Sequence, residues 1–146
     1  MFARAPSNLM LNYVDFHCHL DLFDNFETRI KEAEDAGIYT LAVTTTPRAW
    51  PRNHELMDNL RFVRPALGIH PQLVSDNNEH ELKLWDQYLT EAKYIGEVGL
   101  DASPRFAQNI KQQTKIFKHI LLSCANSGGK IISVHAVRSV DATLDG

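Results

Sequence analysis

Short apolar runs alternate with longer amphipathic stretches along this chain, and the two periods separate strands from helices. The run at 11–16 predicts a first strand, and 26–36 predicts an amphipathic helix closed by Gly37 in the C′ position. Residues 39–45, rich in β-branched side chains, predict a second strand, with Pro47 and Pro51 marking a turn before a short helix at 54–60. A third strand follows at 63–69. Leu82, Trp85, Tyr88 and Leu89 then fall at helical spacing within 79–92, and a fourth strand ends at Glu97. The longest helix spans 106–126, with Ile110, Phe117, Ile120, Leu121 and Cys124 as its buried stripe and Lys111, Lys115 and Lys118 as its solvated side. Gly128 and Gly129 end it, and 130–134 forms the fifth strand.

Strands and helices in strict alternation indicate parallel βαβ units, with right-handed crossovers carrying the helices to the outside. Two parallel architectures fit this order, a doubly wound open sheet and a (β/α)8 barrel. In both, ligands gather at the carboxyl ends of strands. The predicted strands here end at His17 and His19, at His70, at Glu97 and at His135. Candidate groups on four strands, with no G-x-G-x-x-G or Walker loop, favour convergence on one centre, which is barrel geometry. A complete barrel needs eight strands and usually about 250 residues. The expectation is therefore an α/β chain holding about five strands and four helices of a TIM-type barrel. Residues 1–10 read as a flexible tail and 11–146 as the amino-terminal part of a metal-dependent hydrolase barrel. The open edges at the first and fifth strands would invite pairing with another chain, including a separate carboxyl-terminal half.

Composition narrows the class. The 146 residues are 44% hydrophobic and 23% charged, with a formal charge of −3, which suits one core and argues against a broad basic surface for nucleic acid. Two cysteines, Cys18 and Cys124, give no disulfide framework, so a reducing cytoplasm is expected. No run approaches a membrane span.

The chemistry begins at His17-Cys18-His19. Alternation along a strand would point both imidazoles the same way, ready for a divalent ion, with Cys18 as a buried thiol on the other face. Asp15 is expected opposite the histidines, hydrogen-bonding backbone or nearby loops. His54, His80 and His119 are read as surface residues, and Trp50 and Trp85 as packing residues. Trp50, on a loop at the site end, is also a candidate for stacking on a base.

Taken together, Asp15-Phe16-His17-Cys18-His19-Leu20-Asp21, Gly68-Ile69-His70-Pro71, Gly96-Glu97-Val98-Gly99-Leu100-Asp101 and Ser133-Val134-His135 resemble the TatD family of metal-dependent deoxyribonucleases, which are amidohydrolase-like barrels. The variants Thr44-Thr45-Thr46-Pro47 and Gly68-Ile69-His70-Pro71-Gln72 look most like QatD, the nuclease of Qat antiphage clusters. The resemblance implies a two-metal site: His17 and His19 on one ion, Glu97 bridging both, His135 on the second. The ions would be Zn, Mn, Mg or Ni, with metal-bound hydroxide attacking a DNA phosphodiester. His70 would touch phosphate or assist proton transfer, placing it with Glu97 as a catalytic residue. Asp101 would orient neighbours, and Arg138, one place later than the family's usual His-Ser-Arg, would bind substrate. Gln72 stands where many members carry a second histidine, and the family's later histidine and aspartate ligands fall beyond residue 146. Implied partners are DNA, entered from single-stranded ends, and components of a defence complex. The rival readings are an amidohydrolase-type enzyme acting on a small ester, amide or phosphate, and an inactive truncated fragment.

Overall fold

The structure, a computed structural model, describes residues 13–145. The expected 1–10 tail and the first residues of the expected strand at 11–16 lie outside them. Five parallel strands, β1 (Val14–Cys18), β2 (Tyr39–Val43), β3 (Val63–Leu67), β4 (Tyr94–Asp101) and β5 (Ile131–Val137), pair in sequence order. Between them run α1 (Phe26–Asp35), α2 (Trp50–Met57), α3 (Glu79–Tyr88) and α4 (Ile110–Asn126), and α5 (Val140–Leu144) follows β5. Each strand is thus joined to the next by a helical crossover, which gives the consecutive strand order of a TIM-type barrel rather than the reversing order of a doubly wound sheet.

The main core lies between the sheet and the helices. Leu67, Ile95, Val98 and Leu100 meet Trp85 of α3 and Ile116, Phe117 and Ile120 of α4, all buried. A second cluster packs Phe26 and Ile30 of α1 and Met57 of α2 on Ala42 and Val63. Leu41, Val43 and Ala66 form a third, smaller cluster with Tyr94. Alternation explains the split: Leu41 and Val43 belong to one cluster and Ala42 to another, as a period of two requires. The edges differ from this interior. β1 is exposed along most of its length, and Ile131, Val134 and Val137 of β5 are exposed as well.

Several boundaries differ from the expectation. The short helix starts at Trp50 rather than at 54, because Pro51 sits in its first turn, where a missing N–H costs nothing. Trp50 is buried in the main core, so it cannot stack on a base. β4 runs four residues past Glu97 to Asp101, and β5 runs to Val137. Gly99 permits this pairing: a Cβ there would stand 2.1 Å from the carbonyl oxygen of His135.

Candidate metal centre

Four imidazoles from three strand ends meet at one carboxylate on a fourth strand. Glu97 lies in the middle of β4, on a strand buried from Ile95 onward, and is 6% exposed. Its Oε2 lies 3.2 Å from His17 Nε2, 2.9 Å from His19 Nε2 and 3.2 Å from His70 Nε2. Its Oε1 lies 2.6 Å from His135 Nδ1. Burial alone would raise the Glu97 carboxyl. Hydrogen bonds from His70 and His135, with the charges of His70 and His17, outweigh it and hold the group far below the ordinary carboxylate range.

The backbone beneath Glu97 is pinned by a residue that sequence reasoning left without a role. Just past the end of β2, Thr44 bonds directly to β4: its N–H donates to Gly96 O and its carbonyl accepts from Glu97 N, both at 2.9 Å. The Thr44 hydroxyl donates to Ala66 O and accepts from Gly68 N, each at 3.0 Å. Gly68 has to be glycine, since a Cβ would lie 2.1 Å from Thr44 O and 2.5 Å from Glu97 N. The signal for this was the Gly68 of the Gly-Ile-His-Pro motif, whose meaning is steric.

His17 and His19 reach the site by different means from the alternation expected of them. β1 ends at Cys18, so His19 begins a 3-10 turn, and the β1–β2 register slips between Asp15 and Cys18. His17 is instead steadied by Ser133 of β5, whose Oγ lies 2.9 Å from His17 Nδ1. Asp15 shares the parity of His17 rather than opposing it, and its Oδ1 accepts from His17 N at 3.0 Å. Cys18 is half-buried, and burial with the nearby Asp15 pushes its thiol up.

Behind His135 stands Asp101, 1% exposed, whose Oδ2 lies 3.1 Å from His135 Nε2. The same oxygen accepts from Gln72 Nε2 at 2.8 Å, and Oδ1 accepts from Ser103 N at 2.8 Å. Burial would raise this carboxyl too, but hydrogen bonds from Ser103, Gln72 and His135 keep it far below its usual value. Gln113 of α4 clamps the Asp101 backbone from both sides, accepting from its N–H at 2.7 Å and donating to its carbonyl at 3.1 Å. A lone glutamine amid a helix's apolar stripe was the only sequence trace of this clamp.

The remaining candidates separate from the cluster. Arg138 is exposed with φ of 52°, and makes no hydrogen bond or ion pair among the described residues. His54 and His119 pair with Asp58 and Asp86 on helix surfaces, and His80 is exposed. Among the described residues, two groups have ligand atoms close enough for an ion: His17, His19 and Glu97, and His70, Glu97 and His135. Imidazole and carboxylate suit a borderline or hard divalent metal, and Glu97 belongs to both groups, so the donor set fits a pair of ions sharing one carboxylate. No helix among the described residues is long and apolar enough to cross a membrane.

Comparison with known proteins covers the same stretch of chain. The profile of the TatD related DNase family matches residues 14–145. Deoxyribonuclease TATDN3 of Homo sapiens is 31% identical over 129 residues, covering 75% of this chain and 47% of that protein. TATDN3 of Mus musculus is 35% identical over 112 residues, covering 66% of this chain and 38% of that protein. The crystal structure of YJJV, a TATD homolog from Escherichia coli K12, superposes with a TM-score of 0.78 at 22% identity, over 92% of this chain and 54% of that one. The chain thus spans about half the length or less of these relatives, and it shares the fold of the Escherichia coli structure over 92% of its own length.

Proposed function

This chain belongs to the TatD-related DNase family, and from that premise we propose that it forms the metal-binding part of a hydrolase that cleaves DNA phosphodiester bonds. The observation that carries this reading is the single buried carboxylate of Glu97, approached by four imidazoles from three other strand ends. His17 and His19 with Glu97 would hold one divalent ion, and Glu97 with His135 a second. Ions of the zinc, manganese, magnesium or nickel kind would supply Lewis-acid stabilisation of the phosphate and a water nucleophile at neutral pH.

The protein's own part is positioning. Glu97 stays ionised throughout the neutral range, so it remains available to both groups. His70, buried at the same oxygen, would donate to the substrate phosphate or take part in proton transfer. Arg138, exposed on the turn after β5, would meet the phosphate backbone from outside. The net charge of −3 supports grip through the ions rather than through a basic surface, and therefore a strand end rather than a long duplex as substrate. The narrower QatD-type placement, with defence-complex partners, is supported by the Thr44–Thr46 run and by Gln72 after Pro71, and the cytoplasmic home by the two free cysteines.

The test is cleavage of a linear single-stranded DNA by the purified chain with each divalent ion, beside Glu97→Ala and beside a panel of small esters. Metal-dependent DNA cleavage that Glu97→Ala abolishes supports the reading. Ester turnover without DNA cleavage replaces it with the amidohydrolase alternative, and no turnover of either kind supports the inactive-fragment alternative.

A further inference from the structure

Two neighbouring imidazoles present different ring nitrogens to Glu97, His70 its Nε2 and His135 its Nδ1, and one residue touches the supports of both. His70 and His135 stack edge to face with ring centroids 4.7 Å apart. Gln72 donates its backbone N–H to His70 Nδ1 at 3.1 Å and its side-chain amide to Asp101 Oδ2 at 2.8 Å, and Asp101 Oδ2 in turn faces His135 Nε2 at 3.1 Å.

A neutral imidazole has one donor and one acceptor nitrogen, and the bond at one nitrogen decides the role of the other. Because His70 Nδ1 accepts from Gln72, its proton sits on Nε2, the nitrogen 3.2 Å from Glu97. A protonated nitrogen cannot bind a metal, so His70 offers the centre a donor although it lies within ligand distance. His135 is the reverse. Both of its nitrogens face carboxylates, Nδ1 at 2.6 Å from Glu97 Oε1 and Nε2 at 3.1 Å from Asp101 Oδ2; an ion held by Glu97 would take the Nδ1 lone pair, and the proton then stays on Nε2, where Asp101 accepts it as a hydrogen bond.

We propose that Gln72 is the positioning residue that divides these roles, fixing His70 as a donor through its backbone and His135 as a metal ligand through Asp101. This rests on the metal-centre reading above. Asp101 cannot drift, because Gln113 and Ser103 already hold its backbone and its other oxygen. The Gln72 amide is the remaining bond that aims Oδ2 at His135, and it comes from an exposed residue outside any strand or α-helix. Outer-sphere carboxylates of this kind typically change metal affinity by 10–100-fold.

Gln72→Met keeps the length and the backbone N–H and removes only the side-chain donor. The experiment titrates zinc into wild type and Gln72→Met against a competing chelator, and records long-range proton–nitrogen NMR spectra of the zinc-loaded histidines. Expected is a loss of about tenfold in zinc affinity, with His135 changing from a single Nε2–H pattern to a mixed one while His70 keeps its Nε2 proton. Asp101→Asn should lose more at the same ring. Affinities within twofold overturn the inference, and so does a loss of affinity with the His135 pattern unchanged. Zinc that never binds wild type sinks the metal-centre reading and this inference together; zinc that binds both chains alike sinks this inference alone.

Discussion

The two halves of the candidate metal centre are built in opposite ways. On the β1 side, His17 and His19 sit at the end of an exposed edge strand whose register slips, and a single serine on β5 braces His17. On the β4–β5 side, Glu97, Asp101 and His135 are buried or nearly so, and Thr44, Gly68, Gln72 and Gln113 pin the backbone or the side chains around them. A strand end buried in a close-packed core can hold a charged group only if every polar atom is satisfied. An exposed edge needs less of a network, because water reaches most of it, although His19 Nδ1 is buried there without a partner among the described residues. The inner half is therefore preorganised, while the outer half depends on what lies against β1.

The largest effect that sharpens this contrast is at the residue common to both halves. Glu97→Ala should remove both ions and lower DNA cleavage by about a thousandfold or more, measured as initial rate with saturating metal. Retention of one ion would mean that the halves are independent and that the shared carboxylate is incidental. Next comes packing. Leu100→Ala, in the buried wall behind Asp101, should cost about 2–5 kcal/mol in denaturant unfolding. Phe16→Ala, 75% exposed on β1, should fall within about 0.5 kcal/mol. A large loss at Phe16 would show that something covers the edge in solution and would break the contrast.

Much of this was legible in the chain, for specific reasons. The order of elements followed from hydrophobic period, and the lysine face of α4 stays solvated because Lys111, Lys115 and Lys118 avoid the apolar stripe. Glu97 and the four histidines that meet at it were visible because each closes or interrupts an apolar run. What escaped was polar and tertiary. Thr44, Gln72 and Gln113 act across 12 to 53 residues of sequence through a few hydrogen bonds each, which leave no periodic trace. Trp50 packs inward as expected, but two prolines suggested a loop where Pro51 in fact lies in the first turn of a helix, which removes Trp50 as a base-stacking candidate. The reach of His17 and His19 was anticipated from alternation, yet the register slip means that local irregularity and Ser133 set it.

Two smaller effects separate backbone pinning from metal chemistry. Thr44→Val removes the hydroxyl that joins Ala66 O and Gly68 N at nearly constant volume, and should destabilise the fold by about 1–3 kcal/mol. Added metal should not restore that loss if the threonine acts on the backbone. The smallest effect lies far from the centre, at Glu34. Burial would raise its carboxyl, but the N–H groups of Arg61, Phe62 and Val63 and the charge of Arg64 lower it below 4.5. A group depressed in the folded state contributes its stability fully above its unfolded value and loses it as pH falls through the folded one. Unfolding of wild type should therefore weaken on acidification below about pH 4.5, and Glu34→Gln should show a shallower decline over that range.

The most direct test of the account is anomalous diffraction from crystals of the chain soaked in zinc. The account predicts two peaks flanking Glu97, one between its Oε2 and His17 with His19, the other between its Oε1 and His135 Nδ1. A single ion, or peaks that leave Glu97 uncoordinated, would contradict the shared carboxylate on which the proposed chemistry depends.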